Sequence, residues 1–138
     1  MEVLELSSRD EASVVSLWSE AGLTRPWNDA PADFHRAVNG ATSAVLGLKE
    51  DGRLIGTVMV GSDGHRGWVY YLAVSASVRQ QGKGRLLMAA AEEWLREQGA
   101  VKVQLMVRTE NAPVLRFYEA AGYERSDVQV LSRWLRDL

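Results

Sequence analysis

The residues of this chain best suited to chemistry lie in Arg79-Gln80-Gln81-Gly82-Lys83-Gly84. Two glycines and two cations sit there between an apolar run, Val69 to Val74, and a helix-like run, Arg85 to Gln98. Such a loop suits a phosphate. The first N–H groups of a helix lack intrahelical acceptors and point out of its end, and glycine lets an anion approach the backbone closely. On spacing alone an ordinary strand-to-helix connection is the better fit, so the meaning of the segment depends on the elements around it.

Those elements can be read from periodicity. Val3 to Leu6 alternates as a short strand, and Ser8-Arg9-Asp10-Glu11 has the form of a capping box, which predicts a helix from about Arg9 to Ala21 stopped by Gly22. Asp29-Ala30-Pro31 predicts the start of a second helix running to about Val38, after a loop rich in turn formers, Leu23 to Asp29. Ser43–Lys49 and Arg53–Ser62 read as strands joined by the turn Glu50-Asp51-Gly52, and Asp63 to Gly67 turns the chain into a third strand, Trp68–Val74. After the glycine loop, Leu87, Ala91, Trp94, Leu95 and Gln98 share one face of a long helix that Gly99 ends. Val101–Val107 reads as a strand, Pro113–Ala121 as a helix closed by Gly122, and Val128–Leu135 as a last strand. The expected order is β-α-α-β-β-β-α-β-α-β. This is an α/β (α+β) architecture whose mixed central sheet combines an antiparallel meander with a parallel crossover about the glycine loop.

Composition narrows the chemistry. The 138 residues, 46% of them hydrophobic, suit one domain spanning 1–138. A net charge of −2 gives no overall electrostatic reason to bind nucleic acid or an anionic membrane. There is no cysteine, so a thiol nucleophile, a disulfide framework and a thiolate metal site are all ruled out; two separated histidines offer no metal site. No apolar run approaches membrane-spanning length and the first residues lack the form of a signal peptide, so the expected location is cytoplasmic.

With this order of elements, two motifs carry a family resemblance that extends over essentially the whole chain. Arg79, Gly82 and Gly84 match the Arg/Gln-x-x-Gly-x-Gly/Ala signature of the GNAT superfamily of N-acetyltransferases. Asn111, followed by Phe117-Tyr118-Glu119-Ala120-Ala121-Gly122-Tyr123, is similar to that family's second signature. The combination of Leu23 to Asn28, Gly56 to Met59 and Asp63 to Gly67 more narrowly resembles the YpeA-type acetyltransferases. The resemblance implies the GNAT fold, with a splayed pair of parallel strands, and implies acetyl-CoA as acetyl donor to an amine acceptor. By the same resemblance Leu72, Ala73 and Val74 would face the acetyl-pantetheine, and the strand's open backbone donors would polarise the thioester carbonyl. Arg79, Gln80, Gln81, Gly82, Lys83, Gly84 and Arg85 would hold the pyrophosphate, and Asn111 the pantetheine. Tyr118 resembles the family's general acid for the departing thiolate; its place on a stripe with Val114, Phe117 and Ala121 also fits a core residue.

The resemblance supplies no general base. Relatives place a glutamate on the fourth or fifth strand, where this chain has Trp68 and Met106. His65 is a candidate by its reference pKa near ~6.5, with Asp63 and Glu110 behind it. An acceptor amine of lowered pKa would lessen the need for a base. Arg25, Trp27, Asn28 and Asp63, with Asp29, Arg66 and Tyr70, form a mixed-charge set suited to a polar amine. The alternative function is a non-catalytic acyl-CoA sensor; a phosphotransferase is disfavoured, because Gly84 and Arg85 follow Lys83 where a P-loop would have Ser or Thr. The last strand and the tryptophans permit a homodimer.

Overall fold

A computed structural model describes residues 2–137. The chain forms two compact units, Met1–Leu105 and Met106–Leu138. The first holds a five-stranded sheet in the order β1-β2-β3-β4-β5, with β1 Val3–Glu5, β2 Ser43–Glu50, β3 Arg53–Ser62, β4 Gly67–Val74 and β5 Val103–Gln104. Neighbours β1 to β4 pair antiparallel, as a meander of short connections requires. β4 and β5 pair parallel, the crossover being made by α3, Lys83–Glu97. The sheet is therefore mixed, as the sequence implied.

Helices α1, Glu11–Glu20, and α2, Ala30–Asn39, cover one face. Their core joins Leu6, Val14, Leu17, Trp18, Phe34 and Ala37 to Val45 and Ala73 of the sheet. The other face receives Leu87, Met88, Ala91 and Leu95 of α3. This helix lies very close to the sheet: a Cβ on Gly67 would stand 2.6 Å from the Leu95 side chain, a separation only glycine permits. The buried face of α3 differs from the expected one, since Met88 is buried while Trp94 is half-buried and Gln98 exposed.

Side-chain caps set two of the boundaries. Asp29 accepts a hydrogen bond from the Ala32 N–H at 3.0 Å, and Pro31 occupies the first turn, so α2 starts where predicted. The first capping residue is Ser7 rather than Ser8: its N–H donates to Asp10 Oδ2 at 2.9 Å, and a 3-10 turn over Ser8–Asp10 precedes α1. A short acidic side chain three residues on thus takes the part expected of Glu11. The helix α3 begins two residues before the expected Arg85, drawing Lys83 and Gly84 into its first turn.

The second unit contains α4, Ala112–Ala120. Two strand expectations fail. β5 shrinks from Val101–Val107 to Val103–Gln104, and Val128–Leu135 forms no strand among the described residues. Val128, Val130, Leu131 and Leu135 stand largely exposed. Apolar alternation specifies which face of a strand would be buried, but a strand exists only where a partner completes its ladder. The observed order accordingly ends with α4.

Candidate active site

The central feature is a break in β4. Its pairing with β3 runs Met59 to Tyr70 and then Thr57 to Ala73, so Tyr71 and Leu72 together stand opposite Val58 in a β-bulge. Tyr71 adopts φ 53°, a left-handed conformation costly for an aromatic residue by about 1–3 kcal/mol. Several contacts hold it there. The Trp18 ring stacks on Tyr71 with centroids 3.8 Å apart and planes 10° from parallel. Thr57, fully buried, donates from Oγ1 to the Tyr71 carbonyl at 3.1 Å and accepts from Trp18 Nε1 at 2.9 Å. The Tyr71 hydroxyl donates to Asp33 Oδ2 on α2 at 2.8 Å. A stacked pair at about 0.5–1.5 kcal/mol and three hydrogen bonds near ~1 kcal/mol each are enough to offset the strain.

On its other edge β4 meets β5 only at Gly67 and Trp68, opposite Val103 and Gln104. From Val69 to Val74 that edge has no ladder to β5, so the parallel pair is splayed and the bulge lies on its open part. An extended ligand chain could pair with such an edge. Leu72, Ala73 and Val74 are the residues at this stretch, with Ala73 buried.

The strand then runs into the glycine loop. A 3-10 turn over Ala76–Val78 precedes Arg79, whose Nε donates to the Val74 carbonyl at 3.3 Å. Gln80 and Gly82 are both left-handed, with φ 63° and 77°, and Gly82 is the N-cap of α3 without a side chain to cap it. The first bond of α3 returns from Leu86 N–H to the Gly82 carbonyl, so the Lys83 and Gly84 N–H groups precede the helical ladder. Alternating backbone of this kind turns N–H groups into a concavity, to which the helix dipole adds partial positive charge. Nothing stands within 4 Å of a Cβ built on Gly82, so glycine is required there by conformation rather than by space. Arg53 of β3 reaches the same region, its guanidinium 3.5 Å from Ser75 Oγ and 3.4 Å from Ser77 Oγ. Sequence reasoning passed over this cation because it lies some thirty residues away along the chain.

The remaining sequence candidates of the first unit lie between α1 and α2 and about the β3–β4 turn. Asp63 is spent inside its own turn: Oδ1 accepts from the N–H groups of His65 and Arg66 at 2.8 and 2.7 Å, and Oδ2 from Trp68 Nε1 at 3.2 Å. The Arg66 and His65 backbone donors hold its carboxyl below the ordinary range. His65 is exposed at the tip of that turn. Arg25 folds back on its own loop, Nη1 donating to the carbonyls of Gly22 and Thr24 at 2.8 Å each. Trp27 and Tyr70 are part-exposed, and Asn28 is exposed. Tyr70 shares the α1/α2 face of the sheet, being opposite Met59; partial burial, then the Asp63 charge, raise its hydroxyl above its ordinary value.

In the second unit, Asn111 is the N-cap of α4, yet its side chain makes no capping hydrogen bond, which leaves the exposed carboxamide available to a ligand. Tyr118 is the buried residue of α4 and sits edge-on between Phe117 and Tyr123, ring centroids 5.1 and 5.6 Å away. Burial pushes its hydroxyl up to about 12, so it is a proton donor at neutral pH. Met106 is half-exposed, and no cluster of three potential metal ligands occurs among the described residues. No helix among the described residues is long and apolar enough to cross a membrane.

Known structures share this architecture. The aminoglycoside N-acetyltransferase AAC(6')-Iy in complex with CoA matches with a TM-score of 0.83 at 18% identity, over 98% of this chain and 95% of that one. The ribosomal-protein-alanine N-acetyltransferase from Brucella melitensis matches at 0.77 with 18% identity, over 97% of this chain and 100% of that one. The aminoglycoside 6'-N-acetyltransferase AAC(6')-IG from Acinetobacter haemolyticus gives 0.80 with 15% identity, over 99% and 100%. Likeness at such identity shows the fold. The sequence adds the family: the model of the acetyltransferase (GNAT) family matches residues 8–123, and this chain therefore belongs to that family.

Proposed function

We propose that this protein is an acetyl-CoA-dependent N-acetyltransferase that passes the acetyl group to a primary amine by direct attack in a ternary complex. The observation that carries the reading is the open edge of β4, which bears a bulge and leads through a single 3-10 turn into the left-handed loop at the start of α3. This arrangement suits a ligand with an anionic end and an extended amide arm. Phosphates would take the N–H groups of Gly82, Lys83 and Gly84, with charge from Arg79 and Lys83. The arm would run along Val74, Ala73 and Leu72, bringing the thioester to the bulge, where unladdered N–H groups stabilise charge developing on the carbonyl oxygen. CoA in the related AAC(6')-Iy complex supports this choice of donor.

In the reaction the amine lone pair attacks the carbonyl carbon and the C–S bond breaks as the thiolate leaves. Tyr118 is assigned to protonate that thiolate, and Asn111 to bind the pantetheine arm. A phenol near 12 is a weaker acid than a free thiol at ~8.5, so this transfer is favourable only to a thiolate whose own pKa rises on desolvation. The acceptor would be recognised from the Arg25 to Asn28 loop and the Asp63 to Tyr70 segment.

The test is thiol release from acetyl-CoA across a panel of amines, with CoA binding measured in parallel by calorimetry. Binding together with turnover supports the assignment. Tight binding without turnover on any amine would instead identify an acyl-CoA sensor.

A further inference from the structure

The ladder between β3 and β4 ends just before the glycine loop. Its register, Thr57 to Ala73 and Gly56 to Val74, continues for one more bond, from the Ser75 N–H to the Ile55 carbonyl at 2.8 Å. By that register Arg53 falls opposite Ser77. The chain instead turns away through the 3-10 helix Ala76–Val78, and a side chain spans the gap. Arg53 Nη2 donates to Ser75 Oγ at 3.5 Å and to Ser77 Oγ at 3.4 Å, and the two hydroxyls bond to each other at 3.0 Å. Ser75 is only 3% exposed, so its hydroxyl depends on these partners rather than on water. Arg53 faces Glu50 across the β2–β3 hairpin, yet among the described residues it forms no ion pair and turns to the serines. Two further bonds close the turn: Val78 N–H to the Ser75 carbonyl at 3.0 Å, and Arg79 Nε to the Val74 carbonyl at 3.3 Å. Left-handed Gln80 and Gly82 follow directly. A residue such as Gln80 keeps that conformation only where its surroundings impose it, and the two ends of this loop are the serine turn and α3.

We propose that Arg53 is a positioning residue for donor binding: acting through Ser75 and Ser77, it fixes the turn that enters the glycine loop, so that the loop's N–H groups are set before a phosphate arrives. This rests on the acetyl-transfer reading above and extends it to a cation outside the loop, on the neighbouring strand. Arg53 contacts no ligand in this role. It supplies order that the loop would otherwise have to gain on binding, so its effect belongs to affinity for the phosphate end of the donor and not to the chemical step. A donor that lacks phosphates makes no use of the loop and is indifferent to Arg53.

Arg53→Met keeps the aliphatic stem and removes the guanidinium. Affinity for CoA, measured by calorimetry, should fall roughly tenfold, with KM for acetyl-CoA rising in step and kcat at saturation held. S-acetylpantetheine, a donor without phosphate, should be turned over by this variant as by wild type. Arg53→Lys should recover part of the lost affinity. Ser77→Ala should weaken CoA binding to a similar degree, and the double variant should lose no more than either single one, since both changes break the same relay. Unchanged CoA affinity in Arg53→Met, or an equal loss with S-acetylpantetheine, would overturn the assignment while leaving acetyl transfer intact. Losses that add in the double variant would also overturn it, by showing that Arg53 acts without Ser77. Failure of wild type to bind CoA would overturn this assignment and the acetyl-transfer reading together.

Discussion

Single residues in this protein are distinguished by what surrounds them rather than by type. Tyr118 and Tyr71 are both tyrosines whose hydroxyls burial raises, but Tyr71 is bonded to a carboxylate and Tyr118 is packed among rings. Tyr118→Phe should therefore lower kcat by roughly 100-fold or more with CoA affinity unchanged, as stopped-flow turnover and calorimetry would show. A pH effect follows as well. The Tyr118 phenol ionises near 10 in the unfolded chain but only at about 12 when folded, so its stabilising effect is complete below 10 and lost as pH rises through 12. Wild type should lose about 3 kcal/mol more than Tyr118→Phe over that interval in denaturant titrations. Asp63 has the opposite sign: its folded pKa lies below the ordinary 3.8, so the stability it adds is present above that value and disappears as pH falls through the lower one. Asp63→Asn should accordingly lower the melting temperature at pH 7 and make little difference in strong acid. Asp63 was legible in the sequence as part of a turn, and Tyr118 as part of an apolar helical stripe, because each sits in a recognisable local pattern. The Tyr71–Asp33 bond was not, since an acid inside a helix looks like an ordinary solvated charge until Tyr71 is seen to reach it.

Elements were legible where local signals act alone. Asp29 and Pro31 start α2, Asp51-Gly52 turns the β2–β3 hairpin, and strand patterns set β3 to the residue. They misled where partners decide: the Val128–Leu135 alternation has no ladder, and β5 keeps two of seven expected residues. The bulge was hidden for a related reason. Regular alternation puts Tyr70 and Tyr71 on opposite faces, and only the left-handed turn of Tyr71 brings both to one. Thr57, a hydroxyl in an otherwise apolar run, was the available signal. Thr57→Val should leave Trp18 Nε1 without its buried acceptor, costing about 1–3 kcal/mol of stability, and should slow turnover by loosening the bulge. At the other end of the strand, Gly82→Ala should cost about 1–2 kcal/mol for a left-handed Cβ and weaken CoA binding measured by calorimetry.

For the molecule as a whole, a net charge of −2 coexists with cations gathered where β4 meets α3. Arg53 of β3 bonds to Ser75 and Arg79 to the Val74 carbonyl, at adjoining residues, a juxtaposition that composition could not show. The family and the mixed sheet were readable from order and motif. The most direct measurement of the central claim is product analysis of wild-type protein with acetyl-CoA and a panel of primary amines, pairing thiol titration with mass spectrometry. Direct transfer predicts one free CoA thiol for each N-acetylated amine, with no acetylated protein at any time. CoA bound without an acetylated amine, or an acetyl group carried on the protein itself, would contradict it.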